Sequence, residues 1–124
     1  MFIRRLWLAD FRNYESLDLK FPTSGLTVFL GENGHGKTNL VEAIGYVATT
    51  RSFRSASTDP LVALGSDRAI VRCEGERSSR ALLVECEISL SGRNRTLVNR
   101  QPVRRSRDLS ETLLVSVFSP DDLE

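Results

Sequence analysis

The residues best suited to chemistry lie at positions 31–38. There Gly31-Glu32-Asn33-Gly34-His35-Gly36-Lys37-Thr38 fits the pattern G-x-x-x-x-G-K-[ST] at every fixed position. Glycines at this spacing let the backbone wrap closely around a phosphate chain and turn several N–H groups inward. A helix opening at Lys37 adds its unpaired first-turn N–H groups and the positive end of its dipole. Lys37 would bridge the β- and γ-phosphates as a mobile point charge. The Thr38 hydroxyl would join the shell of Mg²⁺, a cation that accepts few protein ligands and keeps several waters. All eight residues form the candidate site for a nucleoside triphosphate, with His35 at a variable loop position facing solvent. Of the 17 basic residues only Lys20 and Lys37 are lysines, so one of the two falls in the motif. Arginine would fill that position differently, because its guanidinium is a planar fork.

Such a loop works only between a buried strand and a helix, and the flanking sequence offers both. Leu26-Thr27-Val28-Phe29-Leu30 is short and continuously apolar, as a strand covered on both faces would be. Leu40, Val41, Ala43, Ile44, Val47 and Ala48 recur at three- and four-residue steps, so residues 37–48 read as an amphipathic helix. Upstream, Phe2 to Phe11 reads as a strand, and Leu17, Leu19 and Phe21 alternate with Asp18 and Lys20 as a half-buried strand does. Residues 49–68 are irregular. Val71 and Cys73 on one strand, and Leu82, Val84, Cys86, Ile88 and Leu90 on the next, share a hairpin face, with Arg77-Ser78-Ser79-Arg80 at the turn. Arg95 to Val98 makes a third short strand. Asp108 to Leu114 reads as a short helix capped by Asp108, and Leu114 to Phe118 as another apolar strand.

A chain of 124 residues, 40% hydrophobic and 27% charged, has globular composition and room for one domain. No segment is long and apolar enough for a membrane span. Met1-Phe2-Ile3-Arg4-Arg5 lacks the apolar stretch of a signal peptide, so a cytoplasmic location is expected. Cys73 and Cys86 would be near neighbours on one hairpin face, and without export they read as buried free thiols. The net charge of +1 conceals segregation: residues 51–107 hold twelve arginines against six acids, whereas residues 108–124 hold five acids and no base. Arg93, Arg95, Arg100, Arg104, Arg105 and Arg107 form a run without an acid. It reads either as a phosphate-holding surface for nucleic acid or as a solvated face.

The stretch Leu8-Ala9-Asp10-Phe11-Arg12-Asn13-Tyr14, taken with Gly31 to Thr38 and Asn39-Leu40-Val41-Glu42-Ala43-Ile44, resembles the N-terminal head of the SMC-like ABC ATPase family. Within it the chain looks most like the RecF branch. Three further stretches fit that branch in order: Arg51-Ser52-Phe53-Arg54, Val98-Asn99-Arg100-Gln101-Pro102, and Val117-Phe118-Ser119-Pro120-Asp121-Asp122-Leu123-Glu124. The implied fold is α/β, a partial ABC-type head of the P-loop NTPases. It would have a mixed sheet, an antiparallel subdomain over about 69–98 and the P-loop helix. Residues 1–124 would be the N-terminal part of that head, with the helical insertion and the rest of the ATPase core absent.

The resemblance also implies roles. Gly31 to Thr38 would bind ATP, with Thr38 on Mg²⁺ and with Arg12 and Asn13 near the nucleotide. Arg51 and Arg54 would either sit in an arginine loop that approaches nucleotide or DNA or form an ordinary solvated pair, as most charged residues do. Ser119 to Asp122 occupies the place of the loop that senses the γ-phosphate. Related ATPases carry glutamine there; this chain does not, and Gln101 comes too early, so Asp121 and Asp122 read as a solvated turn. The implied activity is ATP-dependent binding of single-stranded, gapped or junction DNA in repair, replication restart and the SOS response. The protein would act as an ATP-dependent homodimer that helps RecA loading with RecO and RecR. Hydrolysis between two heads needs a Walker B acid pair, a catalytic glutamate and a signature serine. None is found in residues 1–124, so no catalytic residue is assigned and the chain alone is expected to turn over essentially no ATP. The competing readings are the head of another SMC-like ATPase, with a long coiled coil, and an unrelated small-molecule kinase. An early antiparallel hairpin argues against the kinase.

Overall fold

The computed structural model describes residues 2–21, 37–50, 57–77 and 79–103. Strand β1 (Phe2–Phe11) turns through Arg12 and Asn13 into β2 (Tyr14–Lys20), in register from Arg5 opposite Lys20 to Phe11 opposite Tyr14. Helix α1 spans Lys37–Thr49, and a 3₁₀ turn covers Asp59–Leu61. Strands β3 (Arg68–Arg77), β4 (Arg80–Ser89), β5 (Arg95–Val98) and β6 (Gln101–Pro102) follow. Together they form one six-stranded sheet in the order β2-β1-β3-β4-β5-β6, every described pair antiparallel.

Period-2 alternation gives this sheet two unlike faces. Leu6 and Leu8 of β1, Val71 and Cys73 of β3, and Leu82, Val84, Cys86 and Ile88 of β4 are buried on the inner face. Leu40, Ala43 and Val47 recur along α1 and are buried in the same core, with the helix lying against β3 and β4. Truncating a fully buried member such as Ile88 to alanine removes its transfer energy and leaves a cavity, a loss of about 2–5 kcal/mol. On the outer face, Asp18, Trp7, Arg72, Glu85, Leu97 and Pro102 stand opposite one another across all six strands. The Arg5 and Arg72 guanidinium carbons lie 4.5 and 5.0 Å from the Trp7 ring centre. This face balances its charges internally.

The strands expected over residues 2–11, 17–21 and 95–98, the hairpin over 71–90 and the helix at 37–48 are all present. Three details differ. Val41 is exposed, because its position on the helix points away from the stripe made by Leu40, Ala43, Ile44 and Val47. Leu90 is half exposed, because β4 ends at Ser89, whose hydroxyl accepts the Gly92 N–H at 2.9 Å and bends the chain off the face. Strand β6 was not expected. Asn99 and Arg100 both adopt positive φ, 49° and 68°, which closes the two-residue turn that pairs Val98 with Gln101. The expected strands at 26–30 and 114–118, which would make the sheet mixed, lie outside the described residues, as does the expected helix at 108–114.

Candidate functional site

Gly31, Glu32, Asn33, Gly34, His35 and Gly36 lie outside the described residues. Lys37 and Thr38 are the first two residues of α1, as the motif's chemistry requires of the helix. The described part of the site is what surrounds that helix's first two turns.

Arg12 is its centre. The β1–β2 turn places Arg12 at φ 52°, a left-handed conformation that costs a non-glycine residue about 1–2 kcal/mol. Two contacts hold it there. Its backbone N–H donates to Leu61 O at 2.8 Å. Its side chain donates from Nε to Glu42 Oε1 at 2.7 Å and from Nη2 to Glu42 Oε2 at 3.0 Å. Glu42 is wholly buried and the Arg12 side chain is 20% exposed. A buried carboxylate is tolerated because a planar guanidinium meets both of its oxygens. One residue on, Asn39 Nδ2 donates to Asn13 Oδ1 at 2.7 Å. The turn is thus fastened twice to the helix that Lys37 opens.

Residues 59–66 form the facing wall. Phe11 makes a bridge with Val62, and the Ala63 N–H donates to Asp10 O at 2.8 Å. The Ser66 N–H donates to Ala63 O at 3.0 Å, and Gly65 supplies the φ of 88° that this turn needs. Leu64 stands fully in solvent at the tip. Between the two walls is a cleft of about 920 Å³, large enough for a small-molecule ligand. Arg12, Asn13 and Asn39 bring a cation and two amides, Asp59 and Ser66 a carboxylate and a hydroxyl, and Pro60, Val62, Ala63, Leu64 and Leu90 apolar surface.

Arg12 and Asn13 are therefore brought together at this helix. The arginines of the 93–107 run are not all brought together. Arg93 and Arg95 are exposed at the start of β5, where Asn94 Nδ2 reaches Thr58 Oγ1 at 2.9 Å and ties the β4–β5 turn to the cleft side. Arg100 is exposed in the turn after Val98, at the other end of the strand. Arg51, Arg54, Arg104, Arg105, Arg107, Asp121 and Asp122 lie outside the described residues. Sequence reasoning missed Glu42, Asn39 and the 59–66 wall. Glu42 carried a signal, as the one charged residue among the apolar positions 40–48. The wall had none, because its position depends on long-range bonds to β1.

Cys73 and Cys86 are free and buried, as expected. Burial pushes Cys73 up to about 12 and Cys86 to about 11, so both stay protonated. Burial likewise raises Tyr46, on the inner side of α1, to about 12. Among the described residues no three His, Cys, Asp or Glu side chains gather to hold a metal, and no helix is long and apolar enough to cross a membrane.

Comparison with known proteins matches residues 2–123 to the family model described as the RecF/RecN/SMC N-terminal domain. The DNA replication and repair protein RecF of Kineococcus radiotolerans is 49% identical over 123 residues, covering 99% of this chain and 31% of that protein. The chain thus spans about a third of that relative's length. Among solved structures, the recombination mediator RecF with ATP superposes with a TM-score of 0.90 at 26% identity, over 98% of this chain and 34% of that one. An SMC ATPase solved in work on ATP-driven dimerisation has a TM-score of 0.79 at 23% identity, over 98% of this chain and 83% of that one, a likeness of fold. The fold is that of a partial ABC-type ATPase head.

Proposed function

Because this chain belongs to the family of RecF, RecN and SMC N-terminal domains, we propose that it binds ATP as part of an ATPase of DNA repair and replication. The observation that carries this reading is the double fastening of the Arg12-Asn13 turn to the helix opened by Lys37. In this reading Gly31 to Thr38 wraps the phosphates, Lys37 neutralises the β- and γ-phosphates, and Thr38 joins the Mg²⁺ shell. Arg12 and Asn13 add donors from the side, and the apolar wall at Pro60 and Val62 to Leu64 receives the base. The likeness to a RecF structure with ATP supports the choice of nucleotide.

The kinship supports the rest of the reading. ATP joins two copies, and the dimer binds single-stranded, gapped or junction DNA. With RecO and RecR it helps RecA to load. Arg93 and Arg95 are exposed, with Arg95 opposite Glu87 on the outer face of the sheet, and they are described candidates for meeting DNA. No hydrolytic residue is assigned within residues 1–124, and the chain alone is expected to bind nucleotide without turnover.

Equilibrium titration with a fluorescent ATP analogue and Mg²⁺ tests the reading. Lys37→Ala removes charge-assisted bonds to phosphate and weakens binding by about 30-fold. Unchanged affinity, or sustained hydrolysis by the purified chain, would overturn it.

A further inference from the structure

We infer that Glu42 is a positioning residue for nucleotide binding, setting the Arg12 guanidinium so that its remaining donors face a phosphate in the cleft. The inference rests on the nucleotide reading above and deepens it. Two of the five guanidinium N–H donors are taken by the two Glu42 oxygens. Both come from the Nε and Nη2 edge, which leaves Nη1 and the second Nη2 hydrogen for a ligand in the cleft that Arg12 lines. The carboxylate fixes the plane of the fork as well as its place, because a bidentate contact allows neither atom to rotate independently.

Glu42 is well suited to this task by its own anchorage. It is wholly buried, it lies on the second turn of the helix whose first residues belong to the phosphate motif, and its partner's backbone is held in a strained conformation. Strain at one residue persists where neighbours over-determine it, and here a carboxylate, a backbone carbonyl and an amide pair do so. Paired with Glu42, Arg12 presents an oriented fork with little net field. An incoming phosphate then gains directed bonds rather than only a diffuse attraction.

A double-mutant cycle on ATP affinity tests this, using the same fluorescent ATP analogue with Mg²⁺ and the whole chain. Arg12→Met weakens binding by about tenfold, the loss of charge-assisted bonds. Glu42→Gln, which keeps the shape and removes the charge, weakens it by about fivefold, but by less than about twofold when Arg12 is already methionine. A merely structural Glu42 would cost the same in both backgrounds, and that result overturns the inference, as does no loss on Glu42→Gln. Should Glu42→Gln fail to fold, Arg12→Lys takes its place: it keeps the charge without the fork and is expected to bind as weakly as Arg12→Met. Wild-type affinity in Arg12→Lys would sink the orientation idea. Lys37→Ala runs in parallel. If it too leaves affinity unchanged, the nucleotide reading falls and takes this inference with it; if it weakens binding while the cycle shows no coupling, this inference alone falls.

Discussion

Arg5 and Arg12 lie on one hairpin and each grips a carboxylate through Nε and Nη2, yet the two pairs differ in what they can do. Arg5 meets Asp18 on the outer face of the sheet, with side chains 33% and 47% exposed. Arg12 meets Glu42 at the cleft, with side chains 20% and 0% exposed. Water screens the first pair and would solvate either member if the other were lost. Glu42 has no such refuge. The same geometry is therefore a minor ornament of β1 and β2 in one place, and in the other a clasp that joins the first hairpin to the phosphate-motif helix.

The largest effect that separates them is on stability. Glu42→Ala strands the Arg12 cation beside a cavity and is expected to cost about 3–5 kcal/mol, read from the shift of a urea unfolding midpoint at unchanged slope. Removing both charges with Arg12→Met and Glu42→Leu should recover much of that loss, because apolar side chains of similar size carry no desolvation penalty. A double variant as unstable as Glu42→Ala would mean that Glu42 matters through other contacts than Arg12.

A second, smaller effect uses the buried thiols as reporters. Cys73 and Cys86 sit on the inner face with their pKa values pushed to about 12 and about 11, so a thiol reagent at pH 8 meets neither an accessible sulfur nor a thiolate. Labelling then proceeds through opening of the sheet. Glu42→Ala should raise the labelling rate by roughly 100- to 4,000-fold, each 1.4 kcal/mol of lost stability being worth tenfold, whereas Asp18→Asn should leave it nearly unchanged. Equal acceleration by both substitutions would erase the distinction between the two clasps.

Legibility in the sequence divides along the same line. Alternation and helical spacing are local signals, and they located β1, β3, β4, β5 and α1 because each buries one face against a neighbour. The phosphate motif is local too. Glu42 was visible as a charge among apolar residues, but its partner is thirty positions away, and no local pattern pairs the two. The wall at 59–66 read as irregular because its order comes from bonds to Asp10, Phe11 and Arg12 rather than from its own repeat. Strand β6 depends on a turn with Asn99 and Arg100 at positive φ, where glycine would ordinarily have announced it. A run of arginines in sequence likewise says nothing of β5, which carries Arg95 and Arg100 to opposite ends.

The smallest effect concerns the outer pair, and its sign follows from the direction of one shift. The hydrogen bonds from Arg5 hold the Asp18 carboxyl below its ordinary value of 3.8, against opposing desolvation, with help from the Arg5 and Lys20 charges and from Trp7. A carboxylate whose folded value is depressed contributes stability above its unfolded value and loses it as pH falls through the folded one. Asp18→Asn should therefore lower the unfolding midpoint slightly at pH 7, and by nothing once pH falls below the folded value, where wild type and variant both carry a neutral side chain. Salt offers an independent handle. At about 1 M the Debye length shrinks to about 3 Å, and the difference at pH 7 should shrink with it because both partners face water. The Glu42 effect should survive the same salt. An Asp18→Asn loss that persists undiminished at high salt, or below the carboxyl's titration, would show that the outer pair is held as tightly as the inner one.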